Sequence, residues 1–306
     1  MSLRKWLKAA FVVVVPFVLM FVFGKPVLKS YQLVHPPRTI RELTAADAGK
    51  PVERVAFQAS DGMQLVGWFV AGDSDGAAIA VSHGSYANGP IAYRGVAFLS
   101  EAGYHVLVFD HRGHGQSGGR LTTLGPREAQ DMVGAVAYLR SRPDLDPERI
   151  GAIGCSMGSA VVIGAAALDP AIKAVVAEGV YADMAELWMR FGYVGLRGTS
   201  IDWSWGGLMR KGAWLWTGYP VDTFKPEALV AHISPRPVLI IHGEYDNGAT
   251  TVADAQRLFE AAHEPKELWI VPGAGHCSAH ALFPEVYEER VLTFFDQALR
   301  DSARRP

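Results

Sequence analysis

The chain has 306 residues, 49% of them apolar and 20% charged, with a formal net charge of −2. That is enough apolar material for a sizeable core, in one large domain or two small ones. The near-neutral balance lacks the basic footprint of a nucleic-acid binder, and the scattered 32 glycines and 18 prolines form no repeat or low-complexity segment.

The amino terminus is the one compositional break. Arg4, Lys5 and Lys8 precede an apolar run from Ala9 to Gly24, interrupted only by Pro16. Roughly sixteen residues at about 1.5 Å each reach about 24 Å, short of a ~30 Å hydrocarbon core. No A-x-A cleavage site follows, only a weak Val22-Phe23-Gly24. Residues 1–24 therefore read as an uncleaved signal anchor or transmembrane helix. A cleaved signal, or a hydrophobic helix of the soluble domain, are the alternatives. Lys25, Lys29, Arg38 and Arg41 nearly match the basic residues ahead of the run. Orientation is then set mainly by the habit of short amino-terminal signals to keep the basic end inside, which puts the following domain outside the cytoplasm. Residues 25–52 lack clear periodicity and read as a linker to a domain over 53–306.

That domain opens with two β-rich runs, Arg54–Gln58 and Met63–Ala71, around Ser60-Asp61-Gly62, a hairpin signal. Short buried strands then alternate with helices. Strands are expected at Ala77–Ser82, Tyr104–Phe109, Ile150–Gly154, Ile172–Ala177, Pro237–Ile241 and Glu267–Val271. Helices are expected at Pro90–Glu101, Leu124–Arg140, Met157–Ala167, Gln256–Ala262 and Glu285–Leu299. The alternation implies an α/β fold with a mostly parallel central sheet and helices on both faces. The stretch from about 181 to 234 breaks the rhythm. It carries Trp188, Trp203, Trp205, Trp214 and Trp216 and reads as a small Trp-rich lid insertion, most of its tryptophans packing on the core and one or two open to an apolar pocket.

Gly154-Cys155-Ser156-Met157-Gly158 joins an apolar strand to a helix of small residues, the context a nucleophile elbow requires. A bare G-x-S-x-G is weak; the strand before and the helix after give it weight. Ser156 needs a base, and His276, in a glycine-rich turn directly after the last strand, stands in the right place. His280, one helical turn on, is the fallback. The acid that orients the imidazole is expected at Asp246, after the preceding strand. Glu244 competes for that role, and Asp254 belongs to the next helix. Two backbone donors for an oxyanion are expected at Met157 N–H and at Ser85 N–H, with Tyr86 the alternative to Ser85. His83 is expected to shape that loop rather than to act on substrate. The two cysteines, Cys155 and Cys277, each adjoin one of these residues. They read as small apolar fillers, a redox-sensitive or metal-binding pair being the sharper alternative.

These pieces, in this order, resemble the α/β-hydrolase superfamily, and within it the Bem46-like and prolyl-oligopeptidase-like branch. The resemblance runs over roughly 53–300. It is carried by Ser60-Asp61-Gly62 with Leu65-Val66-Gly67-Trp68, His83-Gly84, Asp110 to Gly118, the Gly-Cys-Ser-Met-Gly elbow, Pro237 to Gly243 with Asp246, and Gly273-Ala274-Gly275-His276. It implies a serine hydrolase with Ser156 as nucleophile, Asp246 as acid and His276 as base. Neither a cofactor nor a metal is implied, although His111 and His114 leave a metal site as an alternative. The Asp110–Ser117 loop is expected to brace the site through Arg112 and its glycines. Asn247-Gly248-Ala249 departs from the family's usual sequence after the acid. A serine at position 156 argues against dehalogenases and epoxide hydrolases, which use aspartate. The expected substrate is a small acyl compound, a carboxylic ester or thioester. A peptidase or amidase, or a non-catalytic membrane-attached binding protein, are the competing readings.

Overall fold

The computed structural model describes residues 3–73, 76–195 and 202–301. Residues 196–201 of the expected lid lie outside these, as does the side chain of Trp203.

An eight-stranded sheet forms the centre: β1 (Val52–Gln58), β2 (Gln64–Val70), β3 (Ala78–Ser82), β4 (His105–Phe109), β5 (Ile150–Cys155), β6 (Ile172–Glu178), β9 (Val238–Gly243) and β10 (Lys266–Val271). Two short strands, β7 (Tyr193–Gly195) and β8 (Asp202–Ser204), pair separately within the insertion. The spatial order is β1-β2-β4-β3-β5-β6-β9-β10. β1 and β2 make the antiparallel hairpin, β2 runs antiparallel to β4, and every later pairing is parallel. Gly62 takes φ +87° in the hairpin turn, a conformation open to glycine.

The winding reverses between β3 and β5. Ser82 faces Gly154 across that pair, so the loops after both strands open at one carboxyl edge, the crevice where such sheets hold ligands. One face of the sheet is covered by the helices Glu128–Ser141 and Met157–Leu168 and by the insertion, the other by Gly89–Arg94, Ala97–Glu101 and Pro284–Phe295. Strands buried on both faces account for the continuous apolar runs in the sequence.

Four local expectations change. The single helix expected over Pro90–Glu101 is broken at Gly95 and Val96 into Gly89–Arg94 and Ala97–Glu101. The helix expected from Leu124 begins only at Glu128, because the buried Glu128 carboxylate gathers the N–H groups of Thr123 and Gly125 and the hydroxyls of Thr122 and Thr123 into a loop, with Leu124 at φ +62°. The helix expected from Gln256 starts at Val252, where Thr251 and Asp254 form a reciprocal capping box. The stretch expected as a linker is largely fastened down. A helical run from Leu3 continues through a π-turn at Met20–Gly24 into the helix Lys25–Val34, which buries Pro26, Ser30 and Val34. That helix packs on Gly206–Thr217 of the insertion, and Gly212 allows the approach: a Cβ there would collide with Ser30 Oγ. Beyond it, Arg38 donates to Ser117 O at 2.9 Å and Trp68 Nε1 donates to Glu42 at 2.8 Å. The helix Lys25–Val34 is hard to read in the sequence because its buried stripe is a proline, a serine and a single valine, and its partner surface lies about 180 residues further along the chain.

Candidate active site

Ser156 sits in the turn between β5 and the helix Met157–Leu168 at φ +58°, ψ −120°. A residue with a side chain held there carries strain of about 1–3 kcal/mol. Two glycines make the turn possible. A Cβ on Gly154 would strike the Gly158 carbonyl, and one on Gly158 the Ser82 carbonyl. Ser156 N–H donates to Glu178 O at 2.9 Å, and the Ser159 hydroxyl donates to Ser156 O.

His276 enters from the loop after β10. Its Nε2 lies 2.8 Å from Ser156 Oγ, and its Nδ1 lies 2.7 Å from Asp246 Oδ2. With the carboxylate ionised, Nδ1 bears the proton and Nε2 is left to accept the serine O–H. Thr250 Oγ1 donates to the same carboxylate oxygen at 2.6 Å. Burial pushes the Asp246 carboxyl up, but the hydrogen bonds from His276 and Thr250 outweigh it and hold the group below its ordinary value. His242 is fully buried 3.5 Å from that carboxylate, and burial lowers its pKa.

The rivals are occupied elsewhere. His280 Nε2 pairs with Glu288 at 2.8 Å, Glu244 accepts the Gly273 N–H at 2.9 Å, and Asp254 caps its helix and binds Arg190. His83 accepts the His111 N–H on Nε2 at 3.0 Å and donates from Nδ1 to Gly84 O at 2.8 Å. That pair of bonds fixes its neutral tautomer, and burial lowers its pKa well below the usual value. His111 meets Ser82 Oγ at 2.6 Å and His114 meets Arg112 O at 3.0 Å. No group of three His, Cys, Asp or Glu side chains able to share a metal occurs among the described residues. Asp110 ties the loop by accepting the N–H groups of Gly89 and Gln116. Arg112 joins buried Asp131 to Asp61 at 2.6 and 2.7 Å.

Ser156 opens on two recesses. A cavity of about 460 Å³ is lined on its apolar side by Val81, Ile91, Val96, Ile153 and Ala281, with Ser85, Glu178 and His276 among its polar groups. A small recess of about 30 Å³ brings Ser85 and Met157 beside Ser156, under Leu124, Tyr181, Leu187 and Phe191. Among the described residues, neither is lined by tryptophan. Trp188 is fully buried, Trp214 and Trp216 face outward, and Trp205 borders a separate groove of about 340 Å³ with Lys25, Leu28, Lys29 and Phe191.

Sequence reasoning missed several neighbours. Thr250 lies in the loop after Asp246, where nothing marks it. Glu178, at the end of β6, accepts Ala279 N–H and the Tyr287 hydroxyl at 3.2 Å each, and burial raises its pKa. The reading of the cysteines as fillers is overturned: Cys155 and Cys277 are joined in a disulfide, with Cα atoms 6.1 Å apart. Each lay beside a site residue, and it is the approach of Ser156 to His276 that brings the two thiols together.

The family described as X-Pro dipeptidyl-peptidase (S15 family) matches residues 42–210, a span that includes Ser156 and ends before Asp246 and His276. The uncharacterized protein YfhR of Escherichia coli O157:H7 is 30% identical over 257 residues, 81% of this chain and 81% of that one. Among solved structures, the esterase Pf2001 of Pyrococcus furiosus superposes with a TM-score of 0.72 at 27% identity, covering 87% of this chain and 100% of that one. The α/β-hydrolase GrgF of Penicillium sp. sh18 shares the fold, with a TM-score of 0.66 at 24% identity over 81% of this chain and 99% of its own. The chain belongs to the X-Pro dipeptidyl-peptidase (S15) family, within the α/β-hydrolase superfamily of serine hydrolases.

Proposed function

We propose that the protein cleaves a carboxylic ester with an apolar acyl part through an acyl-enzyme, using Ser156, His276 and Asp246. The observation that carries this reading is the unbroken relay from Ser156 Oγ through His276 to Asp246, at 2.8 and 2.7 Å. Ser156 Oγ attacks the carbonyl carbon as His276 Nε2 takes its proton. The oxyanion is met by the N–H groups of Met157 and Ser85, two residues that line the small recess together with Ser156. His276 returns the proton to the leaving alcohol. Water then repeats the cycle on the acyl-enzyme and releases the acid. Asp246 stays ionised throughout and stabilises the imidazolium.

The apolar wall of the 460 Å³ cavity suits an acyl chain, and the likeness to a Pyrococcus furiosus esterase favours ester over amide. The peptidase description of the matching family supports a second reading, an amidase or peptidase acting through the same residues. For location, the helical stretch Phe11–Val34 contains an 18-residue window of mean hydropathy 2.4, and its part upstream of Lys25 supports a membrane anchor near the amino terminus. The disulfide supports an oxidising, extracytoplasmic setting for the domain.

Labelling with a fluorophosphonate probe tests the chemistry, and turnover of p-nitrophenyl esters of increasing chain length tests the substrate class. Intact protein is expected to label, and Ser156→Ala to lose labelling and about ten-thousand-fold or more in turnover. Absence of labelling in folded intact protein would remove the hydrolase reading. Faster turnover of a peptide anilide than of any ester would install the second one.

A further inference from the structure

Cys155 immediately precedes Ser156, and Cys277 immediately follows His276. Their bond spans 122 residues of sequence, and the chain has no other cysteine. Both residues line the 460 Å³ cavity, so a small molecule reaches the bond from the side on which substrate would enter. We propose that this disulfide is a positioning cross-link between the turn that carries the nucleophile and the loop that carries the base, so that its reduction by a dithiol slows turnover while the protein stays folded. The proposal rests on the reading of Ser156 and His276 as nucleophile and base.

The loop that carries His276 is tied to the rest of the fold by hydrogen bonds of its backbone groups at its two ends. Ala274 O accepts the Tyr245 N–H at 2.8 Å, and Ala279 N–H donates to Glu178 at 3.2 Å. Between those two points, the bond from Gly275 N–H to Ser278 Oγ is internal to the loop. His276 itself is 40% exposed at its side chain and is held mainly through its ring nitrogens. Gly273 and Gly275 give the approach to His276 conformational freedom. Cys277 has φ +48°, a conformation that a residue with a side chain resists. The loop is thus bent against local preference at the position where the cross-link grips it. Gly179, at φ +64°, lets the end of β6 press against it: a Cβ there would stand 3.2 Å from Cys277 Sγ and from His276 Cε1. Removal of the covalent tie leaves the 2.8 Å approach of His276 to Ser156 to the hydrogen bonds alone. Misplacement by about 1 Å at such a contact can cost about a hundredfold in rate.

The chemistry balances with a dithiol as reductant. One thiolate of the dithiol attacks a sulfur of the bond, and the other cysteine leaves as a thiolate. The second thiol of the reagent then closes on the mixed disulfide. Two electrons and two protons pass to the protein. Cys155 and Cys277 become thiols, and the reagent becomes a cyclic disulfide.

The test uses the full chain, oxidised and after dithiothreitol, at a temperature where circular dichroism shows both forms folded. The rate of fluorophosphonate labelling and kcat are expected to fall about ten- to a hundredfold on reduction, with KM within about threefold. Reoxidation by diamide is expected to restore both. Cys155→Ala/Cys277→Ala is expected to match the reduced rate and to ignore the dithiol. A purely structural bond would lower the melting temperature and leave these rates unchanged, and that result overturns the proposal. So does a reduced form that unfolds at every temperature, or a double variant as fast as the oxidised protein; in all three cases the oxidised chain still labels and the hydrolase reading stands. An oxidised chain that does not label fails the underlying reading first, and this proposal with it.

Discussion

One oxygen of Asp246 receives both the His276 Nδ1–H and the Thr250 hydroxyl. Thr250 therefore helps to fix the carboxylate that fixes the imidazole. Thr250→Val is expected to reduce kcat about tenfold with little change in KM, measured by steady-state ester hydrolysis, since a hydrogen bond to a charged group is worth about 1.5–3 kcal/mol. The same variant carries a pH signature. Asp246 is held below the ordinary carboxylate value, so its contribution to stability is full above that value and is lost as pH falls through the folded-state one. With one donor gone the folded-state pKa rises, and acid unfolding followed by circular dichroism should begin at higher pH in the variant. An unchanged acid limb would mean that His276 alone sets the ionisation of Asp246.

At the level of elements, Arg112 is the joint between three pieces: the hairpin turn through Asp61, the helix Glu128–Ser141 through Asp131, and its own loop after β4. Asp131 is fully buried and Arg112 nearly so. Arg112→Met keeps much of the side-chain volume but leaves the Asp131 carboxylate buried without its partner, and is expected to cost about 3–5 kcal/mol in urea unfolding. A loss below about 1 kcal/mol would mean that water or His111, 3.4 Å away, takes over as partner. The sheet and its principal helices were legible in the sequence because each is a local pattern: a buried run, a 3.6-residue stripe, a turn of Asp and Gly. The convergence of Ser156, Asp246 and His276 was legible for the same reason, each following its own strand. The Cys155–Cys277 bond, the cap formed by Glu128 and the docking of Lys25–Val34 were not. Each depends on a partner that only the fold brings near, and the partner of the last helix lies in the insertion, about 180 residues further along the chain.

Across the whole molecule, the amino-terminal segment divides at Lys25. Upstream of it, Phe11, Val12, Val13 and Phe17 are exposed, whereas Pro26, Ser30 and Val34 are buried against the domain. A chain beginning at Lys25 is therefore expected to melt at the temperature of the full chain in detergent. One beginning at Val52 should melt lower, since it uncovers surface on Gly206–Thr217 and loses burial worth about 1.5–3 kcal/mol per large apolar side chain. Equal melting of the two shorter chains would show that the docked helix adds nothing to the fold. The docking also bears on reach. A slack tether of the length of residues 25–52 would let a domain wander over roughly 30 Å above a bilayer. Here the first ten residues of that length form a helix locked to the insertion by Gly212 and by Lys29, whose Nζ donates to Phe191 O at 2.6 Å. Phe191 also borders the recess at Ser156. Were the apolar helix seated in a membrane, the domain would be bolted to its mast rather than moored on a rope, and Ser156 would be expected at one fixed height over the lipid surface.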